Sequence, residues 1–556
     1  MTPIFALSDR AITEMAALDP LLATFGGVPG HDAEMTDLSP DGEEARAAQQ
    51  RALLAEIRAL EPTNEDDRIA KGYIEERLEA TGMRHDLGEW MVGLNAIAAP
   101  ACDVRAVFDL MDRDGEQAWA NIAARLRDLP ATMEGLTRTY ELGRSRGIVA
   151  AARQVHAAAD QAATWAGDRW FDSLVAEAEA AALPAALVAD IRSGAEGANT
   201  AFDRFAQYLR GTYLPDATPT DGCGPERYRV AVREFLGADL DPQEMYDWAW
   251  ADFHSLRDDI RRTCAEILPG ASFAEVIHLL DTDPARAVHG VDAYQAWLQD
   301  LTDEALARSK AHFEIPPQID RCEARIPPEG SGAAAYYTGP SEDFSRPGRT
   351  WYPALGRTMF PKWGDVTTCY HESVPGHHLQ IAYAKLQAGS LSRMQRNGFI
   401  SGHGEGWALY AEQLCDEFGW FRNADERLGF LGGQILRTVR VIIDIGMHLG
   451  YRIPEGTTLN DGTPFHGGEV WNADLAFEFA VKETGNTEAF MRSEIDRYLG
   501  WPGQAISYKI GQREWVAARA EAMARDGDAF DLKAWHTRAL KLGAIGLGQL
   551  RAELAR

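Results

Sequence analysis

Pro375 is the residue that most restricts how this chain can fold. It follows His371 by four residues and Glu372 by three, and stands just before Gly376, His377 and His378. In the zinc-hydrolase helix His-Glu-x-x-His, two imidazoles four residues apart share a face and hold the metal, while the Glu takes a proton from water. Here proline occupies the place of the second histidine. On an unbroken helix His377 would point away from His371, and His378 would share its face but lie roughly 10 Å further along the axis. Proline has no N–H, and its ring clashes with the carbonyl four residues back, that of His371, so a regular helix through this turn is disfavoured. Gly376 supplies the freedom to bulge. The expectation is a looped-out turn that returns His377 or His378 to a zinc ion shared with His371. The competing reading is a helix stop followed by two surface histidines.

A second carboxylate motif follows in Gly402-His-Gly-Glu-Gly-Trp-Ala-Leu-Tyr-Ala-Glu412. Glu405 and Glu412 are seven residues apart and share one helical face. Glu405 is the candidate third zinc ligand, on a helix entered through a flexible Gly402–Gly406 stretch, with the fourth position left open to water. Glu412 is placed to hydrogen-bond a ligating imidazole and fix its orientation. Taken alone, both would read as solvent-facing carboxylates, and His403 has no clear task. Further on, Arg440, Asp444 and His448 recur every four residues along an apolar helix. Either they neutralise one another, or they line a cleft in which Arg440 and His448 contact substrate, Arg440 through a carboxylate. Tyr508, after Trp501-Pro-Gly503, is either an oxyanion donor or a tyrosine packed at a helix start.

The rest of the chain reads as scaffold. Residues 1 to about 220 carry helical apolar spacing, as in Ala47 to Leu60, where Leu53, Leu54, Ile57 and Leu60 form a stripe. Breaks are expected near Gly26–Gly30, Pro62–Asn64, Ala99-Pro100 and Leu129-Pro130. After a Pro- and Gly-rich linker, Leu214 to Gly224, helices are expected from about Pro242 to Leu256 and Asp292 to Ala305. Short segments at Asp320–Ile326, Ala333–Thr338 and Thr350–Pro353 suggest a small sheet around a loop, Gly339–Gly348. A free strand edge beside a zinc helix can hold an extended peptide.

The 556 residues, 46% hydrophobic and 25% charged, carry a net charge of −29, which argues against nucleic acid as a partner, since phosphate binding needs a basic face. No segment approaches the ~20 apolar residues needed to span a bilayer, and the first residues lack a basic stretch followed by an apolar run. The six cysteines form no C-x-x-C pair, so reduced thiols in a cytoplasmic protein are expected, and Cys369 is given no role.

His-Glu-Ser-Val-Pro-Gly-His-His-Leu-Gln, Gly-Glu-Gly-Trp-Ala-Leu-Tyr-Ala-Glu and Trp-Pro-Gly-Gln-Ala-Ile-Ser-Tyr-Lys-Ile-Gly, with the approach segment Tyr337 to Trp363, resemble the bacterial family known as domain of unknown function 885. That family is grouped with the gluzincin metallopeptidases, alongside angiotensin-converting enzyme, neurolysin and carboxypeptidase Taq. The resemblance implies a mainly α, two-lobed helical clamshell with a small β-sheet beside the zinc helix. Residues 1–220 would form the N-terminal lobe and one cleft wall, and 221–556 the catalytic region. His371 would match the first ligand, Glu372 the general base and Glu405 the ligand from the second helix. Either His377 or His378 fits the second histidine, and Tyr508 loosely matches the oxyanion-stabilising tyrosine. The expected function is zinc-dependent hydrolysis of peptide or small amide bonds, as a carboxypeptidase or dipeptidase on short peptides. Two alternatives stand: a zinc enzyme acting on an amide or amino-acid-derived metabolite in biosynthesis, and a metal-free helical binding scaffold.

Overall fold

The computed structural model describes residues 1–327, 334–341 and 343–556. Helix accounts for 68% and strand for 4%, so the chain is mainly α with small sheets. It divides into two compact units, Met1–Val230 with Asp496–Trp501, and Ala231–Ile495 with Pro502–Arg556.

In the first unit the apolar stripes become buried helix faces. Helix Pro40–Ala59 starts where the Ser39 hydroxyl accepts from the Gly42 N–H and Pro40 fills the first turn. Its Leu53 and Ile57, four apart, are buried. Pro100 likewise opens a helix, Pro100–Leu110, where a break was expected. The expected break at Leu129-Pro130 does not occur. Helix Gly115–Ser145 runs through Pro130, with Leu126, Leu129, Met133 and Leu136 buried on both sides of it. The lost backbone hydrogen bond is outweighed by this continuous apolar face, which packs on helix Ala185–Tyr208, where Gly197 leaves room beside the proline ring. Phe171 lies at the middle of the core, edge-on to Phe108 and stacked on Phe202.

In the second unit the elements that carry the site, labelled within this unit in chain order, begin with helix α1 (Pro242–Ile267), capped by the Asp241 side chain on the Glu244 N–H. Strands β1 (Cys322–Arg325), β2 (Tyr336–Thr338) and β3 (Gly348–Trp351) follow. They form a three-stranded sheet with β3 central, parallel to β1 and antiparallel to β2. The start of the expected second strand, Ala333, lies outside the described residues, as does Glu342 of the expected loop. Strand β4 (Met359–Pro361) pairs antiparallel with Ala287–His289 and leads directly into helix α2 (Lys362–Glu372). Then come α3 (His377–Leu386), α4 (Ser401–Glu417), α5 (Ala424–Leu449) and α6 (Ser507–Asp526). The apolar residues of α5 pack against α1 on one side and α2 on another. Gly450, at φ 64°, ends α5 in the left-handed conformation that glycine adopts without strain.

The expected flexible entry to α4 is a correction. Gly402 to Gly406 is already helical, and its glycines serve a close helix crossing. A Cβ on Gly406 would lie 2.4 Å from the Gly511 carbonyl carbon of α6, and one on Gly511 would lie 2.1 Å from the Gly402 oxygen. Small residues are needed at that spacing because two backbones touch. All six cysteines are free thiols.

Candidate metal centre

The helix carrying His371 stops one residue after it. Ser373 leaves helical geometry, and the chain turns through Val374 and Pro375, whose connecting peptide is cis, before re-entering helix at His377. The Gly376 N–H donates to the Tyr370 carbonyl at 3.0 Å, and the His378 N–H to that of Ser373 at 3.0 Å. The turn folds so tightly on the end of α2 that a Cβ on Gly376 would lie 1.8 Å from the His371 oxygen. From α4, the buried Trp407 indole N–H reaches the carbonyls of Pro375 (3.0 Å) and Gly376 (3.2 Å). The Trp of the second motif therefore holds the bulge of the first.

The bulge turns His377 toward His371, their ring centroids 4.9 Å apart and planes perpendicular. The Glu405 Oε2 atom lies 3.4 Å from His371 Nε2 and 3.5 Å from His377 Nε2. One ligand atom from each residue lies within 4.8 Å of the others. Two imidazoles and one carboxylate, converging from α2, α3 and α4, are donors of the types that could hold a metal ion such as zinc. His377 Nδ1 is buried and has no hydrogen-bond partner among the described residues.

Glu412 stands behind His371, with Oε1 2.7 Å from Nδ1. Its other oxygen accepts from Thr367 at 2.6 Å. Burial alone would lower the His371 pKa, but hydrogen bonds to Glu405 and Glu412 overcome it and hold it at about 10. Burial works against ionised Glu405 and Glu412 as well, yet the paired imidazoles keep both below the usual carboxylate range. Glu372 differs: burial pushes its carboxyl up, only partly offset by the charges of His377 and His371. A carboxyl of raised basicity beside the cluster suits a proton acceptor.

His378 points elsewhere. Its Nε2 is 2.8 Å from the Ile319 carbonyl and must donate to it, so Nδ1 accepts from the Tyr337 hydroxyl at 2.9 Å. Burial keeps this ring neutral, its pKa near 4. The arrangement depends on Gly348, where a Cβ would fall 2.1 Å from the Tyr337 hydroxyl. His378 thus ties α3 to the edge strand β2, and the pair left open by the sequence separates into one residue facing the cluster and one facing the sheet.

The polar stripe on α5 is occupied internally. Arg440 donates to Glu494 at 2.7 Å, and its guanidinium lies 5.0 Å from the centre of the Tyr508 ring. Arg440, expected as a substrate clamp, is paired here with a carboxylate of this chain. His448 is fully buried with Nε2 3.8 Å from Asp444, whose other oxygen accepts from the Gly503 N–H at 3.1 Å, so it does not line an opening either. Tyr508 lies in the first turn of α6. His403 is stacked on Trp515 and buried, and Cys369 is a buried thiol beside Thr302 and Ser373. Sequence reasoning passed over Thr367, Trp407 and Tyr337, although Trp407 lay within the second motif.

A mainly helical unit with a His-His-Glu cluster whose imidazoles are buried, Glu372 next to His371 in the chain, and a bulged helix defines the class of site. The chain belongs to the family described as bacterial protein of unknown function (DUF885), which matches residues 20–554. No functionally curated protein matches it. Two of the solved structures that share its fold show the similarity. One, described as "the putative lipoprotein from Colwellia psychrerythraea", is 21% identical with a TM-score of 0.85, over 99% of this chain and 98% of that one. The other, "a putative lipoprotein of unknown function from Shewanella oneidensis", is 18% identical with a TM-score of 0.78, over the full length of both.

Proposed function

We propose that the chain is a zinc-dependent hydrolase of the gluzincin type, cleaving peptide or other small amide bonds in short substrates. The observation that carries this reading is the convergence of His371 Nε2, His377 Nε2 and Glu405 within 4.8 Å, next to Glu372. Zinc bound there would supply Lewis acidity, polarising a scissile carbonyl and lowering the pKa of water. His371, His377 and Glu405 would hold the ion, and Glu412 would fix the His371 tautomer so that Nε2 presents its lone pair. Glu372 takes the proton from the attacking water and delivers it to the leaving amine. The edge strand β2, hydrogen-bonded on one side by β3, offers backbone groups to an extended substrate. Tyr508 as the oxyanion donor rests on the resemblance alone.

Elemental analysis of the purified protein tests the site. About one zinc per chain is expected, lost in His371→Ala, His377→Ala and Glu405→Ala and kept in His378→Ala. Glu372→Gln should keep the zinc and abolish cleavage across a panel of short peptides and simple amides. A parent chain that takes up no zinc when it is supplied overturns the reading.

A further inference from the structure

Helix α5 is buried almost without interruption from Leu428 to His448, and only Gly432, Gly433 and Arg437 retain solvent exposure in that span. Gly433 and Arg437 are four residues apart and so share a face. With Gly432 they are the part of this face that keeps some exposure, two glycines beside a guanidinium. The three arginines of α5 are unlike in their partners. Arg427 pairs with Asp416 at 3.0 Å and Arg440 with Glu494 at 2.7 Å. Arg437 has no carboxylate within ion-pair distance among the described residues. It spends one donor, Nη1, on the Gly433 carbonyl at 3.1 Å, while its buried Nε has no partner there at all. A guanidinium with donors to spare, held partly out of water, is an incomplete anion site.

This exposed face lies beside Glu412, behind the His-His-Glu cluster. A Cβ on Gly433 would lie 2.9 Å from Arg437 Nη1 and 3.6 Å from Glu412 Oε2, so guanidinium and carboxylate face the same glycine. Glu412 does not close a fork with Arg437, because its oxygens are taken by His371 and Thr367. The neighbouring cation, Lys509, is already matched by Gln434 at 2.7 Å and Asp252 at 3.3 Å. From these placements we infer that Arg437 receives a carboxylate of the substrate, so that the substrates are small amides bearing a free carboxylate group. Gly432 and Gly433, which carry no side chain, let that group approach the helix. The inference rests on the hydrolase reading for the word substrate, but the anion site itself can be measured without turnover.

The experiment is calorimetric binding of a panel of N-acetyl amino acids and their carboxamides to the zinc-loaded protein and to Arg437→Gln and Arg437→Lys, with zinc content and the melting temperature checked for each. The parent should bind the carboxylates about 10- to 100-fold more tightly than the carboxamides, the range of a charge-assisted contact. Arg437→Gln should erase that difference while keeping its zinc, and Arg437→Lys should restore part of it. No preference in the parent, or an undiminished preference in Arg437→Gln, overturns the inference. So does loss of zinc in Arg437→Gln, which would make Arg437 a counter-ion of Glu412. Amides that bind through Arg437 but are never cleaved would instead count against the hydrolase reading alone.

Discussion

Glu412 is the residue on which the candidate metal centre turns without being one of its three donors. Its side chain is fully buried, and its two oxygens are both used, on His371 Nδ1 at 2.7 Å and on Thr367 at 2.6 Å. A buried carboxylate in that position raises the basicity of the imidazole and fixes its ring plane. Exchange for glutamine preserves the shape and removes the charge. Glu412→Gln should weaken zinc binding about 10- to 100-fold, read by competition against a chelator of known affinity, with Glu372-dependent turnover falling only as zinc is lost. Unchanged zinc affinity would mean that the contact positions helices and does not tune the ligand. The seven-residue spacing of Glu405 and Glu412 made their shared face legible in the sequence. Which imidazole Glu412 would meet was not, because that depends on where α2 crosses α4.

At the scale of elements, the centre exists because one helix is interrupted and another is allowed to come close. Pro375 made the interruption readable, and Gly376 made it foldable. The destination of His377 was not readable, since 3.6-residue periodicity ends at a bulge, and the turn is fixed by its own backbone hydrogen bonds together with the Trp407 N–H on the Pro375 and Gly376 carbonyls. Glycine was misread for a related reason. Gly402 and Gly406 look like flexibility in a sequence, whereas here they are the thin places of a helix crossing with Gly511. Pro130 shows the opposite error: a breaker by local rules is overruled by a continuous buried face. The tightness of the bulge gives a prediction. Gly376→Ala would set a methyl group 1.8 Å from the His371 oxygen, so α2 and α3 must separate. A loss of about 3 kcal/mol in stability and loss of bound zinc are expected together, by urea unfolding and elemental analysis. An alanine variant of normal stability and zinc content would show that the turn relaxes cheaply and does not fix His377.

At the scale of the whole molecule, stability depends on how pH acts on buried groups outside the donor cluster, and one of them can be isolated. His536 is completely buried in the second unit, stacked on Phe313 at 4.5 Å. Its Nδ1–H donates to the His312 carbonyl at 3.2 Å, and Nε2 accepts from the Tyr410 hydroxyl at 2.9 Å, which requires the neutral ring. Burial lowers its pKa to about 3. The unfolded chain takes up this proton near pH 6.5 and the folded chain does not, so the contribution is fully present above that pH. It is lost progressively as pH falls toward 3, at about 1.4 kcal/mol per pH unit. Other groups titrate too, Glu483 with the opposite sign because burial raises it to about 7. A difference between parent and variant cancels them. His536→Gln should therefore cost most above pH 6.5, and the gap in unfolding free energy should narrow by about 2 kcal/mol between pH 7 and pH 5. Urea titrations of both proteins at those two pH values measure it. A gap independent of pH would mean that His536 takes up its proton equally in the folded and unfolded chains, and that this aromatic cluster is open to water.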